Sequence, residues 1–418
     1  MKQYDSYKES GVEWIGKVPS HWEIMPLKFT GTFGNGLTYS PKDVVDNGIL
    51  VLRSSNIQNS SLSFEDNVYV SNVSKVLLVQ KGDVIICSRN GSAALVGKSA
   101  FIDKDINATF GAFMMRYIPK INKKYGFYLF QTAIGRYKGY FATTTINQLT
   151  KSTIGEMKVP LANTEEQTAI VDFLDNKCSE IDKVISAQQK RIALLQELKQ
   201  SVITHAVTKG LNPNVEMDAT EEDWINRLPA SWGKAKLKYY IHLVNGRAYS
   251  QPELLSEGKY KVLRVGNFFT NDTWYYSNME LEEDKYCNNG DLLYAWSASF
   301  GPYIWNQDKT IYHYHIWKVC YKECMDKMYV YYLLKAITNF KLGDIHGSTM
   351  VHITMESMNN SVIPIPSFDE QKDIATFLDK KCASIDNALT KAQHQVELLQ
   401  KYKQSLITEV VTGKRKVC

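Results

Sequence analysis

The chain has 418 residues, 44% hydrophobic and 22% charged, a composition typical of a folded protein with two or three domains. No apolar run approaches the roughly 18–20 residues that cross a bilayer, and the first residues lack the apolar segment of a signal peptide, so no membrane association is expected. Seven scattered cysteines favour a reduced, cytoplasmic protein over a disulfide scaffold.

The net charge of +5 is unevenly distributed along the chain. Residues 1–160 contain 19 Lys and Arg against 12 Asp and Glu, a balance of +7, whereas residues 211–366 contain 15 against 18, a balance of −3. A basic first region permits nucleic-acid binding without proving it. If both regions bind nucleic acid, the second must use a local patch.

The first region is predicted to be an α+β domain with a mixed, curved sheet. It begins with EWIGKVPSHWEIMPLK (13–28) and continues as short β-branched and aromatic runs such as ILVLR, DVIIC and FMMRYI. Asn-Gly and Gly-Asp turns separate these runs, as expected between strands. One helical pattern, YGFYLFQTAIGRYKGYF, stands near the end of the region.

Residues 161–210 are predicted to form one long helix. Apolar positions recur at alternating steps of three and four over four heptads, from Val171 to Val202, which is typical of coiled-coil packing. Asn163 or Thr164 is the predicted cap, and Gly210 is the predicted stop. The helix is then roughly 40 residues long, or about 60 Å at ~1.5 Å per residue.

The second half of the chain repeats the first. DWINRLPASWGKAKLK (223–238) resembles residues 13–28, VLRVGNF (262–268) resembles VLRSSNI (51–57), and NGDLLYAW (289–296) resembles KGDVIICS (81–88). GDIHGSTMVHIT (343–354) likewise resembles GYFATTTINQLT (139–150). The sequence therefore reads domain, helix, domain, helix.

The second long helix copies the first even in its polar residues. FLDKKC (377–382) repeats FLDNKC (173–178) within a seam that runs from Ala375 to Leu406. Ser367 or Asp369 is the predicted cap, and Gly413 is the predicted stop. We expect the two helices to pack antiparallel with pseudo-twofold symmetry, and we assign Phe173, Leu174 and Cys178 to packing.

Two near-motifs raise other functions. GSAALVGKS (91–99) resembles a phosphate-binding loop, but five residues instead of four separate its glycines, and no strand-to-helix nucleotide context precedes it. His313, His315, Cys320 and Cys324 suggest zinc, but on a single strand over 311–321 the histidines would face away from Cys320. Neither a nucleotide site nor a metal site is predicted.

Catalytic motifs are missing from the sequence. There is no Asn-Pro-Pro-Tyr/Phe adenine-methyltransferase motif, no glycine-rich cofactor loop after a strand, and no carboxylate cluster of a nuclease. A self-contained methyltransferase or nuclease is therefore the disfavoured alternative. A coiled-coil linker that does not bind DNA is disfavoured by the two large aromatic domains.

The ordered, duplicated set of motifs resembles the specificity subunit of a type I restriction-modification system over nearly the whole chain. The motifs are W-x4-P-x2-W, V-L-R-x2-N, G-D before an apolar run, and P-x5-E-Q-x5-F-L-D. The resemblance implies that residues 1–160 and 211–366 are target recognition domains, and that residues 161–210 and 367–418 are the conserved helices. It also implies a non-catalytic chain that recognises a bipartite, asymmetric sequence in double-stranded DNA.

The resemblance further implies a larger complex. Two methyltransferase subunits would bind the helices, and restriction subunits would join them. Methylation of adenine N6 would take place in the methyltransferase subunit. No cofactor is expected on this chain, because S-adenosylmethionine, ATP and Mg²⁺ would belong to the partner subunits.

Base recognition requires donors and acceptors on loops that face a groove, and matched positions in the two domains supply candidates. In the first domain the candidates are Tyr39, Arg53, Ser54, Ser55, Asn56, Ser88, Arg89, Asn90, Thr143, Thr144, Thr145, Asn147 and Gln148. In the second they are Tyr249, Arg264, Asn267, Trp296, Ser297, Ser299, Ser348, Thr349 and His352.

Two groups of these candidates have alternatives. The residues shared by both domains, Arg53, Asn56, Arg264 and Asn267, either read bases or hold their loops. For the unshared residues direct contact is favoured, above all Arg89 with guanine and Gln148 with adenine. At the helix starts, the candidates for methyltransferase contact are Glu166, Gln167, Glu370 and Gln371, for which helix capping is an equally good explanation.

Overall fold

The computed structural model describes residues 3–141, 148–269, 271–297, 299–343 and 353–417, with backbone only at 138–141. The chain forms two compact units: unit 1 comprises Met1–Gln188 with Gln395–Cys418, and unit 2 comprises Gln189–His394. Each long helix therefore contributes residues to both units. Within the described residues, no helix combines the length and apolar character needed to cross a membrane.

Unit 1 contains short strands and two helices before the first long helix. The strands are β1 (Tyr7–Glu9), β2 (Lys17–Pro19), β3 (Glu23–Pro26), β4 (Gly31–Asn35), β5 (Val44–Val45), β6 (Ile49–Leu52), β7 (Ile57–Gln58), β8 (Ser61–Leu62), β9 (Tyr69–Val70), β10 (Val84–Cys87), β11 (Ser99–Phe101), β12 (Ala108–Phe110), β13 (Met114–Pro119) and β14 (Lys158–Leu161). The helices are α1 (Lys123–Phe141), α2 (Lys151–Gly155) and the long α3 (Thr164–Lys209).

Unit 2 repeats this order of elements. Its strands are β15 (Met217–Glu222), β16 (Ile225–Pro229), β17 (Gly233–Lys236), β18 (Ile241–Asn245), β19 (Tyr260–Leu263), β20 (Tyr275–Ser277), β21 (Tyr286–Cys287), β22 (Leu292–Ala295), β23 (Gly301–Ile304), β24 (Thr310–Tyr312), β25 (Ile316–Tyr321) and β26 (Val362–Ile365). Its helices are α4 (Lys327–Gly343), α5 (Met355–Asn359) and the long α6 (Phe368–Val411). The helix predicted near the end of the first domain is confirmed as α1, and α4 occupies the equivalent place in unit 2.

The two units share one sheet topology. The first sheet has the antiparallel order β11-β10-β13-β4 in unit 1 and β23-β22-β25-β18 in unit 2. The second sheet shares the order β9-β6-β12 in unit 1 and β20-β19-β24 in unit 2, and in both units the last two strands are parallel. The fourth strand differs, because β5 joins at β9 whereas β21 joins at β24. The predicted α+β class and the internal duplication are confirmed.

The central strand of the first sheet is buried on both faces. On β10, Val84 and Ile86 belong to the core that includes α1, whereas Ile85 and Cys87 belong to the core that includes the second sheet. Successive side chains of a strand point to opposite faces, so an apolar run without alternation is expected where both faces are covered. The second unit repeats the arrangement on β22.

The predicted heptad seam is confirmed in both long helices. All its members are buried or half-buried, with Leu174 and Leu378 fully buried and Cys178 and Cys382 nearly so. Within unit 1, Asp182 of α3 binds Lys403 of α6 at 2.6 Å; within unit 2, Lys199 of α3 binds Asp386 of α6 at 2.6 Å. The early part of each helix therefore packs on the late part of the other, which is the expected antiparallel pairing.

The helix ends follow the local rules of capping. Asn163 Oδ1 accepts the Glu166 N–H at 2.9 Å, and Ser367 exchanges hydrogen bonds with Glu370 in a capping box. Each helix is followed by a glycine with φ of +72°, Gly210 or Gly413. The helices are 46 and 44 residues long, slightly longer than predicted.

The single strand considered over 311–321 is not formed. β24 ends at Tyr312, β25 begins at Ile316, and the two belong to different sheets. A turn at His313–His315 joins them, with the Ile316 N–H bound to the His313 carbonyl at 2.9 Å. Hydrophobic periodicity does not reveal where an apolar run leaves one sheet for another, because strand pairing depends on distant residues.

Candidate nucleic-acid interface

The predicted loops of unit 1 meet at one edge of its two sheets. Phe110 on β12 lies opposite Leu52 on the parallel strand β6, so the two strands end together. The Ser88 N–H, just after β10, donates to the Phe113 carbonyl at 2.9 Å. We call this set of segments the loop edge of unit 1: residues 36–39, 53–56, 88–90 and 111–113.

Unit 2 has an equivalent loop edge. After β24, the His313 N–H donates to the Leu263 carbonyl at the end of β19, at 2.9 Å. After β22, the Trp296 N–H donates to the His315 carbonyl at 3.2 Å. The loop edge of unit 2 therefore comprises residues 246–249, 264–268, 296–297 and 313–315, with Ser299 just beyond.

The Asn-Gly dipeptides allow a close approach of backbones at both edges. A Cβ atom at Gly36 would overlap the carbonyl oxygens of Phe110 and Gly111. A Cβ atom at Gly246 would overlap those of Tyr312 and His313. The glycine is required here for contact between two loops as well as for the turn.

The shared Arg-x2-Asn motif holds its loop in unit 1. Asn56 has no accessible surface; its Oδ1 accepts the Arg53 N–H at 2.9 Å, and its Nδ2 donates to the Ser63 and Asp66 carbonyls. The Arg53 guanidinium pairs with the Asp66 carboxylate at 2.7 Å. For Asn56 this geometry favours the loop-holding alternative. Ser54 is half-buried and Ser55 is exposed on the same turn.

In unit 2 the same motif leaves its arginine freer. Asn267 Oδ1 accepts the Arg264 N–H at 3.1 Å, and Nδ2 donates to the carbonyls of Asn271 and Thr273. Arg264 is exposed, and its guanidinium lies 5.4 Å from the centre of the Tyr275 ring. Asn267 thus holds the loop, whereas the side chain of Arg264 is left exposed.

Arg89 and Gln148 lie side by side, although 59 positions separate them in sequence. They form an isolated antiparallel bridge, and both are exposed. The Arg89 guanidinium also lies 5.4 Å from the ring of Phe113, which is 61% exposed. The structure therefore brings the two favoured base-contacting residues together at the loop edge, beside an aromatic ring that sequence reasoning missed.

The neighbours of Arg89 stabilise the turn. Ser88 is buried, and its hydroxyl donates to the Phe113 carbonyl at 3.0 Å. Asn90 Oδ1 accepts the Ser92 N–H at 3.0 Å. These two side chains fix the backbone from which Arg89 projects.

At the equivalent place, unit 2 carries an aromatic cluster. The Trp296 indole donates to the Tyr314 carbonyl at 2.8 Å and stacks on Trp317 with ring centres 6.0 Å apart. Tyr314 is 39% exposed, and the His315 ring lies 5.1 Å from Trp296. Ser297 and Ser299 are half-buried beside the cluster. Sequence reasoning missed Tyr314, which lies in a segment that was considered only as a single strand over 311–321.

The tyrosines after the Asn-Gly turns are half-buried. Tyr249 stacks with His313, and the Arg247 guanidinium lies 5.2 Å from its ring. Burial raises the pKa of the Tyr249 phenol. Tyr39 of unit 1 is also half-buried, and its phenol shows no equivalent cation neighbour among the described contacts.

Arg247 is a basic residue of the loop edge that sequence reasoning missed. It pairs with Glu253 at 2.6 Å, and hydrogen bonds from Arg247 and Ser250 lower the pKa of the Glu253 carboxyl to about 2. Burial, with His315 and Arg264 nearby, lowers the pKa of His313 to about 4. The position of Arg247 directly after the Asn245-Gly246 dipeptide was the signal from which the sequence could have identified it.

The remaining residues predicted to contact DNA lie outside the described residues: Thr143, Thr144, Thr145, Asn147, Ser348, Thr349 and His352. Among the described residues, no group of three or more His, Cys, Asp or Glu side chains is arranged to hold a metal ion. The four residues weighed as zinc ligands are thus not gathered into such a group.

The Glu-Gln pairs at the helix starts are used within their own units. Gln167 accepts the Asn122 N–H at 3.0 Å and donates to the Ala162 carbonyl at 2.8 Å. Gln371 has no accessible surface; it accepts the Asp326 N–H at 2.8 Å and donates to the Cys324 carbonyl.

Each glutamate binds a tryptophan of the W-x4-P-x2-W motif. Trp22 Nε1 donates to Glu166 at 2.9 Å, and Trp232 Nε1 donates to Glu370 at 3.2 Å. Glu166 is 8% exposed. Glu166, Gln167 and Gln371 are buried, so for these three residues the geometry favours an internal framework role over methyltransferase contact, whereas Glu370 is exposed and keeps both alternatives.

Comparison with known proteins agrees with this architecture. The chain is 25% identical over 434 residues to the putative type I restriction enzyme MjaX specificity subunit of Methanocaldococcus jannaschii, covering 96% of each chain. It is 25% identical over 298 residues to the EcoKI specificity subunit of Escherichia coli K12, covering 67% of this chain and 62% of that one.

A solved structure shows the same fold. Its subject is complex assembly and conformational transition of the type I R-M system, and one of its chains matches with a TM-score of 0.70 at 14% identity, over 94% of this chain and 98% of that chain. The family model for the type I restriction modification DNA specificity domain matches twice, at residues 19–193 and 229–399. The protein therefore belongs to the family of type I restriction-modification DNA specificity subunits.

Proposed function

We propose that each unit reads one half of a bipartite, asymmetric sequence in double-stranded DNA through its loop edge. The observation that carries this proposal is that the two units share one fold but expose different side chains at their loop edges. In the turns that follow β10 and β22, unit 1 presents Arg89 beside Gln148, whereas unit 2 presents Trp296, at the position of Ser88, beside Tyr314. A shared topology with unlike polar and aromatic groups is suited to reading two different half-sites.

The chain also positions two methyltransferase subunits on its long helices, and restriction subunits join that assembly. Exposed apolar side chains support this part of the proposal, since they recur at matched positions of the two helices. Leu194 and Leu198 on α3 are 53% and 47% exposed, and Leu398 and Tyr402 on α6 are 50% and 52% exposed. Residues four apart share a helix face, so each helix offers a pair of exposed large side chains at matched positions to the same kind of partner.

The chain itself is non-catalytic in this proposal. Methyl transfer to adenine N6 takes place on the methyltransferase subunits, which hold S-adenosylmethionine, while ATP and Mg²⁺ serve the restriction subunits. The missing methyltransferase and nuclease motifs support this division of labour.

Two experiments test the proposal. The purified chain is incubated with DNA and labelled S-adenosylmethionine, with and without the methyltransferase subunit. Methyl transfer is expected only with the partner, and transfer by the chain alone would refute the non-catalytic role. Single-molecule sequencing of DNA from cells carrying the complex should then show adenine methylation at a two-part motif. Methylation at a continuous motif would contradict the reading of one half-site per unit.

A further inference from the structure

A basic cleft in unit 1 adjoins the loop edge. It has a volume of about 460 Å³ and is lined by α1, by the start of β11, by Ser60, and by Gln404 and Thr408 of α6. Lys98 and Arg136 are its two charged groups, and no acidic residue is among the described residues that line it. The remaining lining is rich in hydroxyl and amide groups, namely those of Ser60, Ser99, Gln131, Thr132, Gln404 and Thr408.

The cleft is joined directly to the candidate base-reading loops. Lys98 Nζ donates to the Ser54 carbonyl at 3.4 Å, and the Gly97 N–H donates to the Cys87 carbonyl at 2.8 Å, one residue before Ser88. Arg136 is exposed on the last turns of α1. A polyanion that lies on the loop edge and enters the cleft would therefore meet Lys98, and Arg136 lines the same cleft.

From this geometry we infer that the cleft binds a backbone phosphate of the DNA, next to the half-site read by unit 1. The inference rests on the proposed function. Two cations with several hydrogen-bond donors and no carboxylate form a setting that favours a phosphodiester. Such a contact positions the duplex and adds affinity without reading sequence.

The cleft is not a nucleotide-binding loop, although Gly97, Lys98 and Ser99 complete the near-motif GSAALVGKS. A phosphate loop offers free backbone N–H groups at the start of a helix. Here Ser99 begins a strand, and the N–H groups of Gly97 and Lys98 are bound to the carbonyls of Cys87 and Leu95. Recognition therefore depends on side chains, which suits a phosphate on a duplex surface.

Unit 2 lacks the two cations. The register of β22 with β23 places Gly301 at the position of Lys98, and the helix repeat places Phe340 at the position of Arg136. The phosphate contact thus belongs to one half-site only. Lys98 and Arg136 are part of the excess positive charge of residues 1–160.

The test uses the full complex with its methyltransferase subunits. Lys98→Gln, Arg136→Gln and the control Lys177→Gln each remove one positive charge from unit 1, and Lys177 lies on α3 outside the cleft. The dissociation constant for target DNA is measured over a range of salt concentrations, and the methylated motif is determined by sequencing. Each cleft variant should reduce the slope of log Kd against log salt concentration by about 0.9, whereas the control variant should leave that slope unchanged.

The methylated motif should stay the same in every variant. An altered motif in Arg136→Gln would overturn the inference in favour of base contact. Unchanged affinity and an unchanged salt slope in both cleft variants would overturn the inference. The proposed function would still stand in that case if the wild-type complex binds its target DNA specifically. Failure of the wild-type complex to bind specifically would overturn both.

A chemical probe separates the possible sources of phosphate. Acetylation of Lys98 is followed by mass spectrometry on the intact complex. Target DNA should protect Lys98, whereas inorganic phosphate or ATP at the same ionic strength should not. Protection by inorganic phosphate or ATP without protection by DNA would overturn the assignment to the DNA backbone.

Discussion

The buried indole of Trp22 donates a hydrogen bond to the carboxylate of Glu166 at 2.9 Å. The bond joins the first motif of the chain to the start of the first long helix, 144 positions later. Trp232 and Glu370 make the same contact in unit 2. Two sequence motifs that recur together are thus the two halves of one structural contact.

Glu166→Ala should destabilise unit 1 by about 1–3 kcal/mol, because it leaves a fully buried indole N–H without an acceptor. The neighbouring Glu165 is exposed, so Glu165→Ala should change stability by less than about 0.5 kcal/mol. Urea unfolding measures both. Equal effects of the two substitutions would show that the hydrogen bond is not stabilising.

The framework role of Glu166 also has a binding test. Glu166→Gln keeps an oxygen acceptor for Trp22 and removes the charge, so the fold should be retained and the affinity for the methyltransferase subunit should be unchanged. A loss of about tenfold or more, about 1.4 kcal/mol, with intact stability would instead support partner contact.

Leu378→Ala should cost about 2–5 kcal/mol of folding free energy, because the side chain has no accessible surface and its removal leaves a cavity in the helix seam. Phe377, one position earlier, is 38% exposed, so Phe377→Ala should cost clearly less despite removing a larger side chain. Denaturant midpoints of the two variants provide the comparison. A larger effect at Phe377 would contradict the seam assignment.

Arg89→Ala should relax recognition at one position of one half-site by about 1–3 kcal/mol, since a bidentate arginine contact to a base carries discrimination of that size. The half-site read by unit 2 is the internal control and should stay unchanged. The methylated motif is determined by single-molecule sequencing. An unaltered motif would refute direct readout by Arg89.

The stability of unit 2 should fall as the pH is lowered from about 6.5 towards 4. The pKa of His313 is lowered to about 4 in the folded chain, whereas an unfolded histidine has a pKa of about 6.5. In that window the unfolded chain binds more protons than the folded chain, so protonation favours unfolding. The contribution of neutral His313 to the free energy of unfolding is fully present above the pKa of the unfolded histidine and is lost as the pH falls towards the pKa in the folded chain.

Between pH 7.5 and 5.5 the expected loss from His313 is about 1 kcal/mol. The difference between the urea midpoints at the two pH values should therefore be smaller in His313→Gln than in the wild type. His205 is exposed, and His205→Gln should retain the wild-type dependence. An undiminished pH dependence in His313→Gln would show that another group is responsible.

Local sequence determined the duplication, the two long helices and their ends. Heptad periodicity and capping depend on residues within a few positions of one another, so the seam from Val171 to Val202, the cap at Ser367 and the stop at Gly413 were readable directly. The strands within DVIIC and DLLYAW were readable for the same reason, because short β-branched and aromatic runs bounded by turn residues predict strands.

Only the tertiary structure decided which polar groups remain available. Asn56 and Gln371 were candidates for DNA and partner contact because of their positions in the repeated motifs, but their donors and acceptors are used by backbone groups distant in sequence. Arg89 and Gln148, in contrast, meet at an exposed edge. Strand pairing and buried hydrogen bonds join residues far apart in sequence, so neither burial nor the break at His313 follows from local pattern.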